Sequence, residues 1–288
     1  VKIIRKQAAL LQARTGREIK ISAVSARSKG RDRGVALASY AWEDDPIALA
    51  KRDDVDVFVE LMGGADGPAK VATEAAIAAG KHVITANKAM LAMHGHALAQ
   101  SAEAKGVSLR YEAGVAGGIP VIKALTEGLA GNEITRIMGV MNGSCNYILT
   151  RMEDSGLSYQ EIFAEADGLG YLEADPQLDV GGIDAAHKLA ILSSIAFGTK
   201  IDFDAIVLEG IERVSIEDIK AAADMGYKIK LLGVTQMTGR GLEQRMQPCL
   251  VPTSSPLGQL QGGTNMICRL LTYCAFAAHN LLRLLSSP

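Results

Sequence analysis

Residues 170–192 read GYLEADPQLDVGGIDAAHKLAIL, an acidic first half with Glu173, Asp175 and Asp179 inside seven residues, followed by an apolar segment that carries one lysine, Lys188. Asp184 and Lys188 are four residues apart, which on a helix puts them on one face, one turn from each other. Their neighbours Ala185, Ala186, Leu189, Ile191, Leu192 and Ile195 make that helix apolar on nearly every side, so little solvated face is left for a lysine. Burial disfavours the charged form of an amine and makes it usable as a general acid/base, with an adjacent carboxylate to orient it. Glu173, Asp175 and Asp179 lie on the loop entering the helix, from which they can fold back toward Lys188 and hold a positively charged amino group. The competing reading is an ordinary solvated i,i+4 pair, which stabilises a helix by about 0.3–0.5 kcal/mol.

Four other clusters carry chemistry of their own. Lys88 closes the segment TANK (85–88); it is either a plain helix-start lysine or a cation for a cofactor or a substrate carboxylate. YEAGVAGGIP (111–120) is a glycine-rich bend whose carbonyls, with Glu112, can face a cation; a simple turn between domains fits it equally. SARSKGR (25–31) offers Arg27, Lys29 and Arg31, basic residues that suit the 2′-phosphate of NADP, or else a solvated loop. MNGSCNYI (141–148) puts Gly143, Ser144 and Asn146 at a strand-to-helix turn of the kind that collects anions. Cys145 in that turn is either a nucleophile or a small packed thiol, and no histidine lies nearby in sequence to activate it.

The elements that position these groups follow from periodicity. REIKISAVSA (17–26) alternates as a strand, and VDVFVELMGG (55–64) is a near-continuous apolar run ending in Gly63 and Gly64, as buried parallel strands do. GPAKVATEAAIAAG (67–80) has proline near the start and glycine at the end of a helix. Strand 81–87, helix 88–106 and strand 107–113 continue the rhythm, which means βαβ units and a parallel sheet. Ligands sit at the carboxyl ends of such strands, which places VSARSKGR, ELMGG with its two glycines, and TANK at the site. The expectation is an α/β protein with a Rossmann-like parallel sheet over 1–117, lacking its first strand and glycine turn; the opening residues read as an amphipathic helix. From 118 to 265 the rhythm becomes α+β: a helix at 119–130, strand 133–143, helices at 144–156, 158–168 and 180–197, and strands at 227–237 and 242–251. This part is a second domain for substrate, and 266–288 is an off-pattern tail.

Bulk properties exclude several classes. A formal charge of −2 with no block of five or more like charges argues against a nucleic-acid surface, which needs a basic stripe. No apolar run reaches the roughly 18 residues of a membrane span. Four cysteines without metal-ligand spacing, in a chain without a secretory pattern, fit reduced thiols in the cytoplasm.

ELMGG…GPAK, VITANKAMLA, YEAGVAGGIPVIKAL, MNGSCNYILTRM and GYLEADPQLDVGGIDAAHKLAIL, in that order, resemble the motifs of the homoserine dehydrogenase family, over residues 1 to about 266. The resemblance implies NAD(P)-dependent interconversion of L-homoserine and L-aspartate 4-semialdehyde on the route to threonine, methionine and isoleucine. It implies Lys188 as the general acid/base and Asp184 as the group orienting it and the substrate hydroxyl. It implies Glu173 and Asp179 in substrate binding, with Glu173 on the ammonium group, and Lys88 at cofactor and substrate. Gly63, Gly64, Arg27 and Lys29 fall where the cofactor, NADP or NAD, is held. Glu112, with the carbonyls of Val115, Gly117 and Ile119, matches the family's monovalent cation site, usually sodium. A homodimer or homotetramer in the cytoplasm is the implied assembly, with the second domain dimerising. Two other readings stand beside this one: a truncated homologue that persists as a dimerising fragment, and a semialdehyde dehydrogenase acting through Cys145.

Overall fold

A computed structural model describes residues 1–172 and 175–271. Two compact units divide the chain: Val1–Met90 with Ala97–Arg110, and Leu91–His96 with Tyr111 onward.

The first unit opens with two short helices, α1 (Lys2–Lys6) and α2 (Ala8–Thr15), separated at Gln7. They replace the amphipathic helix read from sequence: neither buries a residue, and Ile3 is 70% exposed, so the apolar spacing has no core to face. The strand expected over 17–26 shrinks to β1 (Ala23–Val24), paired in parallel with β2 (Ala41–Trp42). After α3 (Pro46–Lys51) come β3 (Val57–Glu60), α4 (Pro68–Ala78), β4 (His82–Thr85), α5 (Lys88–Ala104) and β5 (Leu109–Arg110). β3, β4 and β5 form a parallel sheet in that order. Its core gathers Leu49, Phe58, Ile77, Val83, Met90 and Leu98. β3 is not buried on both faces: Phe58 and Glu60 point inward while Val57 and Val59 stay exposed.

The second unit is built on a five-stranded sheet of order β10-β6-β8-β9-β7. Its strands are β6 (Ile134–Val140), β7 (Val207–Leu208), β8 (Tyr227–Thr238), β9 (Gly241–Pro252) and β10 (Met266–Leu271), antiparallel except for the β7–β9 pair. The helix expected at 119–130 is a single turn, α6 (Val121–Lys123), that widens into a π-turn at Ala124–Gly128. α7 (Gly143–Ser155) and α8 (Tyr159–Gly168) follow as expected. The helix read over 180–197 breaks at Gly182, φ 79°, into α9 (Pro176–Val180) and α10 (Ile183–Phe197). α11 (Ile216–Asp224) carries a reciprocal Ser215–Asp218 capping box.

Leu189, Ile191 and Leu192 of α10 are essentially inaccessible, each burial contributing about 1.5–3 kcal/mol, so this helix is a core element that carries two charged groups. The tail read as off-pattern begins instead as β10, paired with β6. Met266 and Cys268, two residues apart, pack onto the cluster of Val140, Leu232 and Val234, which is the period of a half-buried strand. The rest of that tail, 272–288, lies outside the described residues.

Candidate functional site

The Asp184–Lys188 pair sits on the first two turns of α10. Lys188 Nζ lies 2.6 Å from Asp184 Oδ2 and donates at 2.8 Å to the carbonyl of Met141, just past the end of β6. The side chains are 14% and 6% exposed, so this is not the solvated i,i+4 pair of the competing reading. Coulomb attraction and two directional bonds hold the ammonium at one spot, with a third N–H direction unassigned by these contacts.

Asp179, on the last turn of α9, is 3% exposed and accepts at 2.9 Å from the side-chain amide of Asn142. Asn142 caps α7, its carbonyl oxygen accepting from the backbone N–H of Cys145. One residue therefore ties the start of α7 to the carboxylate, and sequence reasoning assigned it no role. Its signal was an asparagine directly before a helix, the common N-cap choice. Asp175 caps α9 through the N–H of Gln177, a structural task that leaves Asp179 as the inward carboxylate of the described loop. Glu173 lies outside the described residues.

A tight crossing fixes this corner. A methyl group on Gly210 would fall 2.4 Å from the carbonyl oxygen of Val180 and 2.7 Å from Cα of Gly181. Gly210→Ala must therefore separate two backbones directly beside Asp179. We expect it to lower stability by about 1–3 kcal/mol, read as a fall in the thermal midpoint; an unchanged midpoint would show that the crossing is slack.

Cys145 is fully buried, and its thiol donates to the backbone carbonyl of Asp179. Burial, then the negative charges of Asp179 and Asp184, push it well above the usual thiol range, the opposite of an activated nucleophile. Cys145→Ala is accordingly expected to leave turnover at the parental level, whereas a thiol-dependent reaction would stop.

In the first unit, Gly63 and Gly64 follow β3 with φ of 82° and 87°, values that glycine alone adopts freely, and both are exposed. The buried carboxylate of Glu60 shapes this turn: Oε1 accepts from the N–H groups of Met62 and Gly63, and Oε2 accepts from the Thr85 hydroxyl on β4 at 2.5 Å. Asn87 adds a bond from its amide to the carbonyl of Gly64. Glu60, Thr85 and Asn87 thus lock the two loops at the carboxyl end of the sheet, with exposed backbone that an anionic dinucleotide can approach. Lys88 is the first residue of α5, half-buried. Arg27 and Lys29 are exposed on the loop after β1, Lys29 lying 5.7 Å over the Trp42 ring.

Glu112 opens a 3₁₀ turn, and its two oxygens accept from the N–H groups of Ile122 and Lys123 at 3.0 and 2.9 Å. The carboxylate caps α6, a role the sequence did not suggest. Each oxygen keeps a further lone pair, while the carbonyl of Ile119 in the same bend accepts from the N–H of Val121 at 2.7 Å. Among the described residues no group of three or more His, Cys, Asp or Glu side chains forms a metal site, and no helix is long and apolar enough to cross a membrane.

Comparison with known proteins covers both units. Residues 2–112 match the family model described as homoserine dehydrogenase, NAD binding domain, and residues 120–273 match the model homoserine dehydrogenase. β10 falls inside the second match. A homoserine dehydrogenase of Neisseria gonorrhoeae is 47% identical over 265 residues, 92% of this chain and 60% of that protein. The crystal structure of a homoserine dehydrogenase from Thiobacillus denitrificans superposes with a TM-score of 0.90 at 40% identity, covering 94% of this chain and 62% of that one. That of S. aureus homoserine dehydrogenase at pH 7.5 gives 0.81 at 31% identity, covering 100% and 74%. The chain spans about 60% of the length of the curated relatives it matches.

Proposed function

The chain belongs to the homoserine dehydrogenase family, and from that premise we propose that it interconverts L-homoserine and L-aspartate 4-semialdehyde with NADP or NAD. The observation that carries the proposal is the buried Asp184–Lys188 pair anchored on Met141. In this reading Lys188 takes the proton of the substrate hydroxyl during oxidation and returns it to the carbonyl oxygen during reduction. Asp184 holds the lysine in place for the transfer. When bound, the nicotinamide supplies the hydride exchange. Asp179, held by Asn142, and Glu173 are assigned to the substrate's ammonium group, since homoserine is a zwitterion and two carboxylates match its cationic end.

Gly63 and Gly64 are assigned to the cofactor backbone, Lys88 to cofactor and substrate carboxylate, and Arg27 with Lys29 to the 2′-phosphate that would favour NADP. Glu112 with the carbonyls of Val115, Gly117 and Ile119 is assigned to a monovalent cation such as sodium. Assembly as a homodimer or homotetramer, and a cytoplasmic location, rest on the family resemblance alone.

The assignment of the carboxylates is tested by comparing L-homoserine with 4-hydroxybutyrate, which keeps the alcohol and the carboxylate and lacks the amine. Reduction of NADP or NAD with homoserine, and none with the analogue at equal concentration, is the expected result. Equal rates with both would remove Asp179 and Glu173 from substrate recognition.

A further inference from the structure

Lys230 takes no part in the chemistry above, yet it is among the most deeply buried large side chains, 1% exposed. It lies on β8 in phase with Leu232 and Val234, positions that point into an apolar cluster. Among the described residues its ammonium meets only neutral oxygens at bonding distance. Nζ donates to Asn146 Oδ1 on α7 at 2.9 Å and to the carbonyl of Leu260 at 2.6 Å, with Thr150 Oγ1 at 3.5 Å. Burial first, then the like charge of Lys228, push its pKa down to about 8, against the opposing pull of Glu153 and Asp154. A buried ammonium without a bonded carboxylate is expensive, and a core position needing stability alone is better filled by methionine or leucine.

The bonds show what the charge holds. Asn146, oriented by Lys230, donates through Nδ2 to the carbonyls of Gly262 and Thr264. One ammonium and one amide together hold three carbonyls of residues 260–264, the segment that leads into β10. That segment is wedged against the candidate site. A methyl group on Gly143, at the start of α7, would lie 2.6 Å from the Gly263 carbonyl oxygen, and one on Gly263 would lie 3.2 Å from the Tyr171 ring. Tyr171 is stacked on Tyr147 at 4.1 Å, and its carbonyl accepts from the Ser144 hydroxyl at 2.6 Å. It stands two residues before Glu173, while Asn142 on the other side holds Asp179.

We propose that Lys230 is a positioning residue, which through Asn146 and the 260–264 segment holds Tyr171 and the start of α7, where Asn142 in turn holds Asp179, in the geometry that binds the substrate amine. The proposal rests on the functional reading above. Two variants test it. Lys230→Met removes the donor and keeps the volume. Asn146→Asp gives the ammonium a carboxylate partner, so the fold survives, but loses both amide bonds to the segment. In each variant the homoserine KM should rise by about tenfold, the loss expected for a charge-assisted bond, with kcat and the NADP KM within about twofold of the parent. Backbone amides at 143–146 and 169–171 should exchange faster with solvent, while those of α10 keep their protection. A folded variant with unchanged homoserine KM and unchanged exchange at those amides overturns the proposal. So does a fall in thermal midpoint and kcat with KM unmoved, the signature of a purely structural lysine. If the parent chain does not oxidise homoserine at all, the functional reading fails separately, and the exchange rates alone then decide whether the clamp exists.

Discussion

Lys188→Ala is expected to lower kcat for homoserine oxidation by about 10²–10⁴-fold, the span that positioned general acids and bases contribute, with a much smaller change in homoserine KM. The geometry justifies the size of the effect. The ammonium is fixed by Asp184 at 2.6 Å and by the Met141 carbonyl at 2.8 Å, and water replacing it would be neither fixed nor oriented. Alanine also takes away the ammonium bonded at 2.6 Å to the Asp184 carboxylate, which is 6% exposed. Lys188→Met, which keeps the stem, is therefore the cleaner companion variant. Steady-state kinetics on folded protein read the result, and turnover near the parental value in both variants would remove Lys188 from the proton transfer.

The same pair yields the largest expected effect on stability. Removing one member of a buried ion pair strands the other and costs about 3–5 kcal/mol, whereas replacing both by apolar groups of similar volume is often neutral or stabilising. We expect Lys188→Met and Asp184→Leu each to lower stability by an amount at or somewhat below that range, since the lysine retains some exposure. The double variant should recover most of the loss while remaining inactive. Chemical denaturation of the four proteins measures the coupling. Additive losses in the double variant would mean that the two charges do not depend on each other, and that Asp184 orients nothing.

This separation of activity from stability explains what was legible in the sequence. The pair was readable because two charged residues at helical spacing stood among alanines, leucines and isoleucines, a conflict between polarity and burial. Two helices carry cap signals as well, Asn142 before α7 and Ser158 with Glu161 before α8. Periodicity alone did not reveal the break at Gly182, because the apolar pattern runs through it, nor the π-turn after α6. The 17–26 strand failed for a related reason: alternation states which residues suit a strand, while pairing decides how many join one, and here β2 pairs with only two. Glu112 suggested a cation because carboxylates bind cations, yet its described bonds go to backbone N–H groups. Lys230 went unnoticed although its signal was present, a lysine two residues before Leu232 and four before Val234, in phase with the inward face of its strand.

The most direct measurement places the parent chain and Lys188→Met side by side with L-homoserine and NADP, then NAD, and follows formation of the reduced nicotinamide. The account predicts homoserine-dependent reduction by the parent, with one of the two nucleotides preferred, and a loss of about 10²–10⁴-fold in the variant. Reduction at equal rates in both would contradict the role given to Lys188; reduction in neither would contradict the proposed activity of this chain.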